Sequence, residues 1–296
     1  MSQIASAVAR CHDDRLCHLG EGAFWHPTRH QFFWFDILNY QLLSQDDAGA
    51  PLAWQFELPV SAAGWLDNEH LLIASASSLQ RLNLRTNVRE QLEPLEHDQV
   101  HTRCNDGRAD PWGGFWISTM GRQAQPQAGS LYRYYRGELR RMQGGITIPN
   151  AICFDQNREC GYFADTAQKR VYRWRLDSGH GWPVGDPELF MDLSSSGLNP
   201  DGAVTDSIGR LWCAHWGAAK VSCYSPSGQP VMSVDMPAPQ VSCPAFGGMH
   251  FDELYVTSAR EDMDEAALAR APQSGKTFIA EAPEGVTGLP EPRVIL

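Results

Sequence analysis

A short pattern of apolar and polar positions recurs six times along the chain, and its first residue changes from copy to copy. Each copy has an opening run, a turn and a second run rich in aromatic and aliphatic residues, and most copies add a third run. The runs are about four to seven residues long and are bounded by turn residues, which predicts β-strands. The copies open at Glu21, Ala62, Asn105, Asn150, Asp201 and Phe246, which lie 41, 43, 45, 51 and 45 residues apart.

A period of this size that is built from strands is typical of a β-propeller with one blade per repeat. The sequence therefore predicts an all-β fold, a six-bladed β-propeller with four-stranded blades and a central metal channel, as a single domain over residues 1–296. Helix-forming residues are concentrated at Glu261–Arg270, which predicts a short surface helix inserted in the sixth repeat. The strand that closes the ring is expected from one terminus, either the apolar tail Arg293–Leu296 or the stretch Ile4–Ala9.

Composition narrows the partners and the compartment. The net charge of −11 argues against nucleic acid and anionic membranes, because both require clustered Lys and Arg. No run of about eighteen apolar residues occurs, and the N-terminus lacks the features of a secretory signal. The eight cysteines show no CxxC spacing, which disfavours a cysteine zinc site and indicates a reduced, cytoplasmic protein. We expect this protein to be a monomer or homodimer.

The opening residues are the candidate chemistry. Equivalent positions of a propeller surround one axis, so Glu21, Asn105, Asn150 and Asp201 are expected to converge near a single point. Carboxylate and amide oxygens with two formal negative charges suit a hard divalent cation, and Ca²⁺ takes about six to eight such oxygens. Mn²⁺ or Mg²⁺ would also fit, and Zn²⁺ less well. The alternative is that these side chains only bond backbone groups at the channel mouth.

Three further polar residues have more than one interpretation. Arg103 stands two residues before Asn105, so in a strand both side chains lie on one face and Arg103 would reach an anionic or carbonyl-bearing substrate. The alternative for Arg103 is a salt bridge with a neighbouring Asp. Arg108 is expected to pair with Asp106 or Asp110. His215 is expected to be an ordinary packed or surface histidine, with entry into the cavity mouth as the alternative.

Several motifs together resemble the senescence marker protein/gluconolactonase/luciferin-regenerating enzyme family. The resemblance extends from Leu19-Gly-Glu-Gly to Val286-Thr-Gly-Leu. It is carried by the segments Gly20-Glu21-Gly-Ala-Phe-Trp, Arg103-Cys-Asn105-Asp-Gly-Arg-Ala-Asp110-Pro, Ser118-Thr-Met120, Pro149-Asn150-Ala, Pro200-Asp201-Gly-Ala, Phe246-Gly-Gly and Leu254-Tyr-Val-Thr-Ser-Ala-Arg260.

The resemblance implies a six-bladed propeller that hydrolyses a sugar lactone with one divalent metal ion. It implies that Glu21, Asn150 and Asp201 are the metal ligands and that Arg103 and Asn105 contact the substrate. The metal would act as a Lewis acid on the lactone carbonyl, and Asp201 would serve as the catalytic base or position the attacking water.

Two positions depart from the family pattern. Some relatives carry acidic residues after Thr119-Met120 that contact sugar hydroxyls, whereas this chain has Gly121-Arg122-Gln123. Arg122 at the cavity would suit a substrate with its own carboxylate, such as an aldaric or uronic acid lactone; the alternative is that Arg122 points to solvent. The second departure is Ala151, which follows Asn150 where Gly is common.

Two other functions are compatible with the same sequence. One is a phosphotriester or fluorophosphate hydrolase on the same propeller, and the other is a non-catalytic, calcium-stabilised binding propeller. Arg103 beside the predicted metal site argues against the second, because a stabilising metal does not require it.

Overall fold

Six antiparallel four-stranded sheets form a closed ring in the computed structural model, which describes residues 9–296. The first strand of each repeat contacts its counterparts in the two neighbouring sheets, so these six strands surround the axis. The other strands of each sheet follow outward. The predicted all-β, six-bladed propeller with four-stranded blades is confirmed. No helix among residues 9–296 is long and apolar enough to cross a membrane.

The strands of the first three blades run outward in chain order. The first blade comprises β2 (Gly20–His26), β3 (Gln31–Asp36), β4 (Gln41–Gln45) and β5 (Pro51–Gln55). The second comprises β6 (Val60–Trp65), β7 (His70–Ser75), β8 (Ser78–Asn83) and β9 (Arg89–Pro94). The third comprises β10 (Thr102–Ala109), β11 (Phe115–Gly121), β12 (Gly129–Tyr135) and β13 (Glu138–Ile146).

The fourth and fifth blades follow the same order, and the sixth takes its outermost strand from the N-terminal part of the chain. The fourth comprises β14 (Pro149–Asp155), β15 (Cys160–Asp165), β16 (Arg170–Arg175) and β17 (Glu188–Asp192). The fifth comprises β18 (Asn199–Thr205), β19 (Leu211–Trp216), β20 (Lys220–Tyr224) and β21 (Pro230–Asp235). The sixth comprises β22 (Val241–Gly247), β23 (Glu253–Ser258), β24 (Thr277–Glu281) and β1 (Arg10–Asp13).

The ring is closed by β1, which pairs antiparallel with β24. Of the stretch Ile4–Ala9 that was one candidate, positions 4–8 lie outside the described residues, and Ala9 directly precedes β1. The other candidate, the tail Arg293–Leu296, is wrong as a closing strand. The backbone N–H of Val294 donates to the Trp65 carbonyl at 3.0 Å, so the tail packs against the second and third blades instead.

The predicted helix is present but shorter. Helix α1 spans Glu265–Arg270, between β23 and β24. It begins after Asp264, whose side chain accepts a hydrogen bond from the Ala267 N–H at 2.7 Å and caps the first turn. The backbone of Asp262 is left-handed, with φ of 57°, so the helix cannot extend back through Asp262.

Aspartates in the turns after the inner strands stabilise the blades. In the fifth blade, Asp206 accepts hydrogen bonds from the Trp212 indole at 2.9 Å and from Arg210 Nε at 2.6 Å. The turn of the third blade repeats this arrangement, because Asp110 accepts from the Trp116 indole at 3.0 Å. Each turn therefore fixes the inner strand to the second strand of its blade.

Candidate metal and substrate site

Every inner strand has an irregularity in its pairing at the same place in the repeat. The register shifts lie between Glu21 and Phe24, Val60 and Ala62, Cys104 and Gly107, Asn150 and Cys153, Pro200 and Ala203, and Val241 and Pro244. A β-bulge bends the strand and changes the direction of its side chains. Five of the opening residues lie at or beside these bulges, near the start of the inner strands, whereas Phe246 lies beyond the bulge of β22, near the end of that strand.

Two of the bulges contain a residue in the left-handed region. Gly22 has φ of 58°, and a Cβ atom there would lie 2.1 Å from the Ser61 carbonyl oxygen, so only glycine fits. Ala151 occupies the same place after Asn150 and also has φ of 58°. The left-handed conformation costs an alanine about 1–2 kcal/mol, so the replacement of the usual Gly keeps the bulge at the expense of backbone strain.

A chain of hydrogen bonds joins the predicted substrate contacts to a predicted metal ligand. Arg103 Nη1 donates to Asn105 Oδ1 at 2.7 Å, and Asn105 Nδ2 donates to Asn150 Oδ1 at 2.8 Å. Asn150 Nδ2 donates to the Thr166 hydroxyl at 2.9 Å, and that hydroxyl donates to the Pro200 carbonyl at 2.6 Å. The amide of Asn150 is thus fixed, and its oxygen keeps a second lone pair. Nothing in the local sequence marks Thr166 as part of a site, so this residue could not be identified from the sequence.

Two buried carboxylates lie at the same level. Burial, followed by the negative charge of Asp106, raises the pKa of Glu21 to about 8. Burial and the charge of Glu21 hold the pKa of Asp201 well above its ordinary value of 3.8. Burial also raises the pKa of Asp106, although the Ile152 N–H donates to its carboxylate at 2.7 Å. Asp106 is therefore a third acidic group at the axis, which the repeat pattern did not single out.

The raised pKa values of Glu21 and Asp201 mean that nearby cationic side chains do not offset the negative charges of these two carboxylates. Among residues 9–296, no group of three or more His, Cys, Asp or Glu side chains is arranged to hold a metal ion. The site offers a different set, the carboxylates of Glu21 and Asp201 with the free lone pair of Asn150. Such an all-oxygen set with uncompensated negative charge fits a hard divalent cation whose shell is completed by water.

A positively charged side chain, that of Arg103, also lies near these carboxylates. Arg103 is buried, which lowers its pKa, and Glu261 is the strongest opposing charge. Burial raises the pKa of Glu261, and the charge of Arg103 works against that rise. Arg122 is exposed, and its Nε donates to the Val100 carbonyl at 3.0 Å. The charge of Arg122 adds to the lowering of the Arg103 pKa, so this exposed side chain lies in the neighbourhood of Arg103.

Two other polar residues lie elsewhere. His215 is buried within the fifth blade, where its Nε2 lies 2.9 Å from the Tyr224 hydroxyl, as expected for a packed histidine. The expected pairing of Arg108 with Asp106 or Asp110 is wrong. Arg108 forms an ion pair with Glu291, and the carboxylate of Asp110 accepts from Arg133 Nε at 2.6 Å. Glu291 is 183 residues from Arg108, so no local motif could reveal that pair.

The fold and the site together define a class of protein, a six-bladed propeller with buried carboxylates and amides at one end of its axis. Residues 19–260 match the sequence model of the family described as "SMP-30/Gluconolactonase/LRE-like region". The chain belongs to this family, and the resemblance found in the sequence is confirmed.

Relatives of known name cover nearly the whole chain. A Rhizobium meliloti (strain 1021) protein called "Putative sugar lactone lactonase" is 37% identical over 279 residues, which is 94% of this chain and 95% of the relative. The 6-deoxy-6-sulfogluconolactonase of Pseudomonas putida is 32% identical over 279 residues, 93% of this chain and 94% of that protein. The crystal structure of the calcium-binding protein regucalcin from Agrobacterium tumefaciens str. C58 superimposes with a TM-score of 0.96, at 35% identity and 100% coverage of both chains.

Proposed function

We propose that this protein hydrolyses a sugar lactone to the open-chain sugar acid, with one divalent metal ion at the axial site. The observation that carries the proposal is the pair of buried carboxylates, Glu21 and Asp201, whose raised pKa values reflect uncompensated negative charge. The relatives called lactonases support the reaction class. Regucalcin, a relative described as calcium-binding, supports Ca²⁺ as the metal, with Zn²⁺, Mn²⁺ or Mg²⁺ as alternatives.

In this proposal, Glu21, Asn150 and Asp201 hold the metal. When bound, a divalent cation supplies Lewis-acid polarisation of the lactone carbonyl and stabilises the oxyanion that follows attack. The hydrogen bond from Asn150 Nδ2 to Thr166 fixes which way the amide faces, so that its oxygen and not its nitrogen is offered to the site. Buried Glu21 is held against the backbone, because the Gly22 N–H donates to its carboxylate at 3.1 Å.

Asp201 is the proposed catalytic base. A water molecule attacks the lactone carbonyl carbon, its proton passes to the Asp201 carboxylate, and the ring C–O bond breaks as the leaving oxygen takes up a proton. In the metal-free protein, burial keeps the pKa of Asp201 well above its ordinary value. A ligated carboxylate is a weaker base, so positioning the water is the alternative role for Asp201.

The substrate contacts proposed are Arg103, Asn105 and Arg122. Arg103 Nη1 already donates to Asn105 Oδ1, so the two side chains act as one unit that can orient a lactone ring or a hydroxyl. Arg122 at the rim would contact a second, anionic end of the substrate, which favours an aldaric or uronic acid lactone. The name of the 32% identical Pseudomonas putida relative, a lactonase for a sulfonated gluconolactone, supports an anionic substrate in this family.

A screen with a pH indicator tests this function. Aldonic, uronic and aldaric lactones are offered to the protein with Ca²⁺, Mn²⁺ or Zn²⁺, and a phosphotriester is included as a comparison. Acid release from an anionic sugar lactone supports the proposal. Turnover of the phosphotriester alone would favour the phosphotriester hydrolase, and a metal-induced rise in melting temperature without any turnover would favour the binding propeller.

The remaining inferences concern the setting of the protein. All eight cysteines are free thiols, which is compatible with the predicted reducing cytoplasm. The net charge of −11 supports a small molecule rather than nucleic acid or membrane as the partner. We propose a monomer or homodimer.

A further inference from the structure

The segment that follows β23 leaves the propeller at the end of the axis where the axial site lies. Ser258, the last residue of β23, pairs with Val241, the first residue of the inner strand β22. The next residue, Ala259, forms an isolated β-bridge with Leu19, two residues before the first predicted metal ligand. The loop 259–276, which carries helix α1, therefore stands at the entrance of the axial site, and we call it the mouth loop.

The first residues of the mouth loop are held against two blades. The Arg260 N–H donates to the His18 carbonyl at 2.9 Å, next to the start of the first blade. Gln240 Nε2, just before the inner strand of the sixth blade, donates to the Glu261 carbonyl at 3.0 Å. The backbone of Glu261 is thus fixed, which lowers the entropy lost when its side chain binds a ligand.

The side chain of Glu261 approaches Arg103 of the facing blade. Glu261 follows the last inner pair of the sixth blade and Arg103 lies at the start of the third, and these two blades face each other across the ring of six. Burial lowers the pKa of Arg103, and the charge of Glu261 opposes that effect more strongly than the charge of Glu21 does. Because charge interactions weaken with distance and with exposure to water, Glu261 lies close to the Arg103 guanidinium.

The carboxylate of Glu261 is half-buried and available to a ligand. Among residues 9–296 it has no hydrogen-bond or ion-pair partner, so Glu261 and Arg103 approach each other without direct contact. A bound molecule can thus lie between a guanidinium that only donates hydrogen bonds and a carboxylate that accepts them through two oxygens.

A sugar ring needs such an acceptor at this site. Each of its hydroxyl groups donates one hydrogen bond, whereas the side chains of Arg103 and Arg122 can only donate. The amide oxygen of Asn105 already accepts from Arg103 at 2.7 Å. Glu261 supplies acceptor oxygens from the sixth blade, so a ring held there meets donors on one side and an acceptor on the other.

We propose that Glu261 is a specificity-determining residue that binds hydroxyl groups of the sugar ring, opposite Arg103. This inference rests on the proposed function, since it takes a sugar lactone as the ligand of the axial site. It adds an acceptor to the donors already proposed there, and it predicts a preference for hydroxylated over unsubstituted lactones.

Binding of a stable analogue tests this role without relying on turnover. Glucono-δ-lactam keeps the ring, the carbonyl group and the hydroxyl groups of gluconolactone, while its amide bond resists hydrolysis. With Ca²⁺ present, calorimetry should show that Glu261→Gln weakens lactam binding about tenfold or more, because hydrogen bonds to a charged acceptor are lost. Unchanged affinity in the variant, or no binding of the lactam by the parent, would overturn the inference.

Asp262→Asn is the matched control. It removes the same charge from the next residue, which is exposed, and Asn tolerates the left-handed backbone found there, with φ of 57°. Its affinity for glucono-δ-lactam should equal that of the parent. Equal losses in Asp262→Asn and Glu261→Gln would mean that only the net charge of the mouth loop matters, which contradicts a contact from Glu261.

Two lactones separate this inference from the proposed function. In Glu261→Gln, kcat/KM for gluconolactone should fall about tenfold, whereas kcat/KM for δ-valerolactone, which has no hydroxyl group, should stay unchanged. An equal fall for both lactones would overturn the inference, because Glu261 would then act through Arg103. If the parent hydrolyses neither lactone, the proposed function fails, and lactam binding that depends on Glu261 would still establish the hydroxyl contact.

Discussion

Replacing Asp201 by Asn should stabilise the metal-free protein and at the same time abolish its activity. Asn has the shape of a protonated Asp, so Asp201→Asn removes one of two adjoining buried carboxylates without creating a cavity. In the metal-free protein the neutral form of Asp201 is favoured, because burial and then the charge of Glu21 raise its pKa well above 3.8. Keeping that proton at neutral pH opposes folding, since the unfolded chain would release it.

The magnitude follows from the distance between the working pH and the ordinary pKa. Each pH unit above that value opposes folding by about 1.4 kcal/mol, so at pH 7.5 the upper limit is about 5 kcal/mol. Relaxation of the site lowers this limit, so we expect metal-free Asp201→Asn to be more stable than the metal-free parent by less than about 5 kcal/mol. The gain should shrink as the pH falls towards 4, where Asp201 of the unfolded chain also becomes protonated.

Urea unfolding of chelator-treated protein at pH 7.5 and at pH 4.5 measures this difference. With Ca²⁺ at about one hundred times its dissociation constant, the parent should gain about 2.7 kcal/mol and Asp201→Asn should gain much less. Lactone hydrolysis by the variant should fall by about 10²–10³-fold or more.

Asp206→Asn in the same blade is the matched control. The buried carboxylate of Asp206 accepts from Arg210 Nε at 2.6 Å and from the Trp212 indole, so losing its charge should destabilise the protein by about 3 kcal/mol. The two Asp→Asn changes thus have opposite signs. A metal-free Asp201→Asn protein that is less stable than the parent would refute the reasoning that two uncompensated carboxylates meet at the axis.

Three further changes test other parts of the structure. Glu291→Gln leaves buried Arg108 without its counter-charge and should lower the free energy of unfolding by about 3 kcal/mol, whereas the apolar pair Arg108→Met with Glu291→Leu should recover most of the loss in urea unfolding. Arg122→Ala should raise KM for a uronic or aldaric lactone about tenfold and leave KM for a neutral aldonolactone unchanged; an equal effect on both would exclude contact with an anionic group. Thr166→Val removes the group that orients the Asn150 amide and should weaken Ca²⁺ binding about tenfold or more in calorimetry, while unchanged affinity would contradict that role.

The fold could be predicted because each blade is encoded locally. Opening residues such as Asn105 and Asn150 recur at nearly the same place in the repeat, and the place of a residue within its repeat fixes its level along the propeller axis. The proximity of Asn105 and Asn150, where Asn105 Nδ2 donates to Asn150 Oδ1, could therefore be predicted from the sequence.

Contacts between residues far apart in the chain could not be predicted from the sequence. Arg108 has two acidic neighbours in the sequence, Asp106 and Asp110, yet it pairs with Glu291 from the C-terminal segment. The identity of the strand that closes the ring could not be predicted for the same reason. The apolar character of Val294 fits both a strand and a packed tail, and only the hydrogen bond to the Trp65 carbonyl decides between them.

The most direct test of the central claim measures lactone hydrolysis while metal is returned to chelator-treated protein. We predict no hydrolysis above background without metal, and recovery that saturates at one equivalent of divalent cation per chain. The same titration should raise the melting temperature in parallel, because Glu21, Asn150 and Asp201 would then share one ion. Full lactone hydrolysis by the metal-free protein would contradict the account.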